Sequence, residues 1–293
     1  MAVPIFLFTS GYLYTSSFNR AGIETLGSVY APSSLIPKLV RFLIPLAIVC
    51  TAEILLARII DPDTQFHFDL ALISNGMGPG TYYIPLLFLF VFLIPVVYIA
   101  TKVIGFYSVI VCFVLNGVYE ILSRMFENPY YTILPLRFLF LISFGCWLFF
   151  HKSNGASPTC IMWVISILAS LVGVVFIICT LYLDIDPVIV DIPWANVSYI
   201  ACLYILPVMM FFIYYANLSS RLLAMMGKAS FNIFLVQMLY YKFFADIVYS
   251  HFDSLLYGVI ISILLCSVTG ILFYRIEQPL SSTLLRKLKP RFE

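Results

Sequence analysis

Charge is scarce in this chain. Of 293 residues, 16 are Lys or Arg and 14 are Asp or Glu, so charged side chains make up 10%. A soluble domain of this length covers its surface with far more. With 62% hydrophobic residues and a mean hydropathy of +1.04, a soluble fold is excluded. The formal net charge is only +2, and no basic stretch calls for a nucleic-acid partner. Histidine occurs three times, at His67, His151 and His251, each reading as a loop residue. The seven cysteines are Cys50, Cys112, Cys146, Cys160, Cys179, Cys202 and Cys266. They are odd in number and form no C-x-x-C pair, so neither a disulfide framework nor a metal site is expected. They read as small buried hydrophobes. No G-x-S-x-G, H-E-x-x-H or P-loop occurs, which removes the usual hydrolase, metalloprotease and nucleotidase signatures. The opening lacks a basic region and a small-x-small cleavage site, so it is no secretory signal peptide.

What the chain does have is long apolar runs. A spanning helix needs about 20 mostly apolar residues. Candidates are 1–14, 39–60, 81–101, 104–122, 132–150, 160–183, 197–216, 228–249 and 255–274. The expected fold is therefore an all-α integral membrane protein, a bundle of about nine transmembrane helices in one domain over 1–293. Loops such as "DPDTQFHFD" and "HKSNGASPT" separate the runs. Pro85, Pro95 and Pro135 are candidate kinks, because proline removes a backbone donor.

The basic residues orient the bundle. Twelve of the sixteen fall in alternate loops: Arg20, Lys38 and Arg41; Lys102; Lys152; Arg221 and Lys228; and five in the tail from Arg275. The intervening loops hold Asp61, Asp63, Asp69, Glu127, Asp184, Asp186, Asp191 and Asp253, with Arg58 and Arg124 at helix ends. The first set and the C-terminus are therefore expected in the cytoplasm. Nine spans then place Met1 outside, and one further helix in front would bring the start inside.

Ionisable groups within apolar runs usually face a bundle interior. Lys242 and Asp246 are four apart and are expected to pair on one helix. Arg58 and Glu120 lie near run ends and can snorkel. Arg137, in "LPLRFLFLISFG", has no acid nearby in sequence. It reads as a cavity-facing cation or as a structural partner of another helix. "PKLVR" sets Lys38 and Arg41 three apart on one helical face. That pair is either a positive-inside anchor or a clamp for phosphate. Spacing alone supports no enzyme.

Five stretches taken together resemble the membrane-bound acyltransferase 3 family. "VPIFLFTSGYLY" is similar to its Ser-Gly helix, followed by a basic pair three apart, here Lys38 and Arg41. "GTYYIPLLFLFVFLIP" is similar to an aromatic-rich helix after an outer loop. "LPLRFLFLISFGCWL" resembles a segment with Arg and a later Gly, here Arg137 and Gly145. "MGKASFNIFLVQMLYY" resembles a G-K-x-S-aromatic helix, and "YRIEQPL" the closing E-x-P with Glu277 and Pro279.

The resemblance implies transfer of an acyl group, often acetyl, from cytoplasmic acyl-CoA to a surface polysaccharide or lipid-linked sugar at the bacterial plasma membrane. Acyl-CoA enters as substrate; no bound cofactor or metal is implied. The implied donor-binding residues are Lys38 and Arg41. Arg137 positions donor or acceptor and is the one catalytic candidate. Ser10, Gly11 and Tyr12 shape the site. Tyr82 and Tyr83 stack on sugar or form an interfacial belt. Gln237 is a polar contact where the family has His, and it cannot shuttle protons near neutral pH. Glu277 fixes the cytoplasmic end, through Arg275 or the basic tail. The family's catalytic His lies in a first helix that precedes the Ser-Gly helix. Relative to that family the chain is expected to be N-terminally truncated. The alternatives are a transporter or flippase for lipid-linked sugar or acyl groups, or an inactive truncated family member. Oligomeric state is left open.

Overall fold

The computed structural model describes residues 2–60, 83–126, 128, 131, 134–185, 187–189, 192–194, 198–216, 220–251 and 255–288. Helices dominate them: α1 (Ala2–Arg20), the short α2 (Leu26–Val29), α3 (Pro32–Ile60), α4 (Tyr83–Ile104), α5 (Tyr107–Met125), α6 (Leu139–Ser153), α7 (Cys160–Leu181), α8 (Ile205–Tyr214), α9 (Arg221–Phe243), α10 (Ala245–Ser250) and α11 (Leu255–Leu288). Single 3-10 stretches, Pro135–Phe138 and Ile200–Tyr204, lead into α6 and α8. Among the described residues the extended structure is a two-residue antiparallel pair, Val188–Ile189 with Ile192–Pro193.

Seven of the described helical stretches are long and apolar enough to cross a membrane. α1, with 19 residues, and the shorter apolar stretch Ile200–Tyr214 fall on the two remaining runs. All nine coincide with the runs read from sequence, and the chain is an all-α multi-pass membrane protein. In α7, Ile165, Leu168, Val172 and Val175 form one exposed apolar face. A helix is free to present such a face to lipid because its backbone groups bond within the segment.

Boundaries differ from the sequence reading where proline or a cap decides. α3 begins at Pro32, seven residues early, and carries Pro37 and Pro45 inside it. Proline is pre-organised for a first helical turn, and Pro32 opens this helix. The Ser220 hydroxyl accepts from Leu223 N at 3.4 Å and starts α9 at Arg221. α9 then stops at Phe243, so Asp246 falls in the first turn of a separate helix, α10. The expected Lys242–Asp246 pair on one helix is thereby overturned. Lys242 instead forms an ion pair with Glu53 of α3.

The contacts divide the chain into two units. The first comprises Met1–Val29 and Phe92–Leu218. Its α1 and α6 cross at two glycines. A Cβ on Gly11 would meet the Ile142 backbone, and a Cβ on Gly145 would meet the backbone of Phe8 and Tyr12. Leu7, Phe8, Leu141 and Ile142 fill the crossing and are buried. Cys146 is fully buried there, its thiol 3.5 Å from the Gly11 carbonyl oxygen.

The second unit comprises Tyr30–Val91 and Ser219–Glu293. Leu46 and Val49 of α3, Ile84 of α4, and Leu235 and Met238 of α9 form its core. Phe42 stacks on Phe231 with centroids 4.9 Å apart. Gly270 lets α11 approach the backbone of Ile233 closely. Of the seven cysteines, all free, Cys112, Cys146, Cys202 and Cys266 are buried and Cys50 and Cys179 partly so. Cys160 is exposed and departs from the expected burial.

Candidate active site

The strongest concentration of polar chemistry lies in the first unit, where α5 ends and α6 begins. Leu134 is extended, as a residue before proline prefers, and Pro135 opens the 3-10 turn. Asn116, in the middle of α5, holds that turn from the side. Its Nδ2 donates to Leu136 O at 2.7 Å, and its Oδ1 accepts from Phe140 N at 2.7 Å. The second bond satisfies a first-turn N–H that the helix itself leaves open. The result is a rigid mount for Arg137, which is 5% exposed.

One turn beyond Asn116 on α5 comes Glu120, fully buried. Tyr131 donates its hydroxyl to Glu120 Oε2 at 2.5 Å, and Arg124 donates Nε to Oε1 at 3.4 Å. The guanidiniums of Arg124 and Arg137 each lie 4.9 Å from the centre of the Tyr131 ring. Arg137 also covers the Phe138 ring at 4.5 Å. Tyr119 stacks on Tyr131 at 6.0 Å. Burial pushes the Tyr131 phenol above its ordinary range, and Glu120 adds to this while Arg137 opposes it. The phenol therefore stays protonated and donates.

The snorkelling role expected of Glu120 is overturned, since its side chain is shut away from solvent. A buried carboxylate is tolerated only with charge and hydrogen-bond partners, and here it has both. The arrangement can take up a proton from a hydroxyl at the carboxylate and stabilise negative charge at the guanidiniums.

A second polar contact closes the other end of α6. His151 Nδ1 lies 2.6 Å from Tyr214 Oη of α8, and Trp147 packs on the imidazole at 5.0 Å. Lys152 donates to the Ile213 carbonyl. His151 was expected in a loop; α6 runs on to Ser153 and takes it into the last turn. Fourteen residues of helical rise, about 21 Å, separate His151 from Arg137, so the two ends cannot act on one bond.

The remaining candidates are dispersed. Lys38 and Arg41 share a face of α3 in the second unit, Lys38 bonding to Ser34 Oγ at 3.5 Å and Arg41 exposed. Gly11 serves the α1–α6 crossing, with Ser10 partly buried beside it and Tyr12 packed edge-on against Phe149 at 5.4 Å. Gln237 is exposed on α9. Glu277 is buried, and its partner is Ser281 one turn on in α11, not Arg275, which reaches Met225. Tyr82 lies outside the described residues, as does the side chain of Tyr83. Sequence reasoning passed over Asn116, Tyr131 and the His151–Tyr214 contact. An asparagine within an apolar run was the available signal for the first. No cluster of metal-ligating side chains occurs among the described residues.

Fold and site together define a multi-pass membrane protein with a buried carboxylate held by a phenol and a guanidinium. The family model described as an acyltransferase domain matches residues 1–274, and the chain belongs to the acyltransferase 3 family. No curated protein and no solved structure matches it.

Proposed function

We propose that this protein is an O-acyltransferase of the bacterial plasma membrane. It takes an acyl group, acetyl in the simplest case, from cytoplasmic acyl-CoA. It passes the group to a hydroxyl of a surface polysaccharide or lipid-linked sugar. The observation that carries the reading is the family match over residues 1–274. The Glu120 cluster adds to it, because acyl transfer to a hydroxyl needs a base and this cluster offers a buried one.

In the reaction the acceptor oxygen attacks the thioester carbonyl. The new C–O bond forms, the C–S bond breaks, and coenzyme A leaves as the thiol. Glu120 receives the hydroxyl proton and passes it on to the departing thiolate. Arg137, beside the same phenol, stabilises the oxyanion of the tetrahedral intermediate. Lys38 and Arg41, three apart on α3, are the cations proposed for phosphate of the donor, as point charge and fork. Under the positive-inside rule the C-terminus faces the cytoplasm.

The test is transfer by the protein reconstituted in lipid. Radiolabelled acetyl-CoA and the lipid-linked sugar fraction of its host membranes are supplied. Label should appear on the sugar as an alkali-labile ester. Glu120→Gln should lower turnover on the order of 100- to 10,000-fold and leave acetyl-CoA affinity unchanged. Donor binding without any ester would refute the enzyme reading.

A further inference from the structure

α11 is longer than a bilayer needs. Its 34 residues, Leu255–Leu288, rise about 51 Å, whereas a hydrocarbon core of about 30 Å takes about 20 of them. The apolar run read from sequence, 255–274, uses up that length. The helix then continues as "RIEQPLSSTLLRKL" for about 21 Å more. A helix leaving the membrane for water turns polar on its free side, and this one keeps large aliphatic side chains there.

Leu265, Val268 and Leu272 form an exposed apolar stripe within the span, and Ile276, Leu280 and Leu284 carry it on at four-residue steps. Ile276 is 69% exposed and Leu280 56%, so the described residues leave this flank uncovered. The other flank carries Arg275, Ser282 and Arg286, all exposed and spaced to share a face, and exposed Lys287 closes the apolar stripe. The one acid of this stretch, Glu277, is buried and takes a hydrogen bond from Ser281. Its exposed charge is therefore all positive. Lys289 and Arg291 follow in the sequence. Arg275 donates to Met225 Sδ at 3.5 Å and so ties the start of the stretch to α9. Pro279 has no N–H to give the Arg275 carbonyl, which lets the helix bend there.

Exposed aliphatic side chains beside unbalanced cations are the make-up of a segment that lies in the headgroup layer, its apolar side toward the acyl chains. We propose that residues 275–288 of α11 lie along the membrane surface and bind anionic phospholipid. Ile276, Leu280 and Leu284 extend the lipid-facing stripe of Leu272 along the acyl boundary. Arg275, Arg286 and Lys287 take the headgroup phosphates. A soluble phosphate would engage the cations and leave the stripe bare, whereas a lipid engages both. The proposal does not depend on the acyltransferase reading.

The test is hydrogen–deuterium exchange of the whole protein in nanodiscs, read by mass spectrometry on peptides from 275–288. One set of discs holds phosphatidylcholine alone, and the other replaces about a third of it with phosphatidylglycerol. Exchange should slow on the order of 100-fold in the second set, from three cations at about fivefold each. Arg286→Gln with Lys287→Gln should leave about a fivefold slowing, from Arg275 alone. Arg286→Lys with Lys287→Arg keeps both charges and should match the parent. Unchanged exchange of α9 peptides shows that these variants are folded. Equal exchange in the two sets of discs overturns the proposal, whether both are fast or both slow. So does a glutamine variant that slows as much as the parent. Slowing by glycerol phosphate added to phosphatidylcholine discs overturns it too, because the cations would then serve a soluble phosphate.

Discussion

The crossing of α1 and α6 offers the sharpest mechanical test of this fold. Gly11→Ala places a methyl 3.1 Å from the Ile142 C and Cα atoms, and Gly145→Ala places one 3.1 Å from Tyr12 N. The obstructing atoms are backbone, so no side chain can rotate out of the way. Parting the helices by about 1 Å restores ordinary contact. Overpacking of this kind costs about 1–3 kcal/mol. One parting relieves both methyls, so the double variant should cost little more than either single one. Cys146 reports the movement, being fully buried with its thiol on the Gly11 carbonyl. Its labelling by a thiol reagent, read site by site by mass spectrometry, should accelerate about 5- to 150-fold in each variant, following the population of the open form. Strictly additive effects, or a Cys146 that labels no faster, would refute the interlocked crossing.

Three further outcomes follow from the same geometry. Lys242→Met leaves Glu53, 3% exposed, without its cation. Because the Lys242 head is about a third exposed, the loss should be on the order of 2 kcal/mol in denaturant unfolding, below that of a fully buried pair, and Glu53→Leu added to it should restore most of the stability; an unaffected single variant would show the pair to be idle. Lys38→Ala with Arg41→Ala should raise the dissociation constant for acyl-CoA at least tenfold, about 1.4 kcal/mol, by calorimetry on folded protein, and unchanged affinity would remove the clamp. Asn116→Leu deprives Phe140 N and Leu136 O of their partner, so it should cost about 1–3 kcal/mol and reduce turnover by loosening Arg137, whereas wild-type turnover would show that the mount does not matter.

The sequence carried the fold well because the bilayer leaves few choices. Nine apolar runs became nine helical stretches, since a backbone in lipid must bond within its own segment. Helix ends were harder to read. Pro32, Pro37 and Pro45 look like breakers, yet all three sit within α3. The site was legible only in fragments. Arg137 stood out as a charge in an apolar run, but Tyr131, the ring it covers, lies six residues away in an unremarkable loop. Glu120 and Arg124 were spaced to pair, yet nothing local showed that a phenol would close over the carboxylate. Lys242 misled for the same reason: its partner is 189 residues away. Periodicity registers contacts within one helix and is blind to contacts between helices.

The Glu120 cluster is hard to explain by stability. Withdrawing a carboxylate and a guanidinium from water costs several kcal/mol for each ion, and apolar side chains of similar volume usually hold a core as well or better. α5 has no need of charge to pack: Phe113 and Ile121 on the neighbouring stripe pack against rings. A purely structural cluster would also leave no donor over, whereas Arg124 Nη2 remains unpartnered in this one. If Glu120 served packing, Glu120→Leu combined with Arg124→Leu would keep the protein both stable and active. We expect it to keep its stability and lose transfer, with Cys146 labelling as slow as in the parent protein to show that the fold survives. Loss of stability in that double variant would return Glu120 to the scaffold.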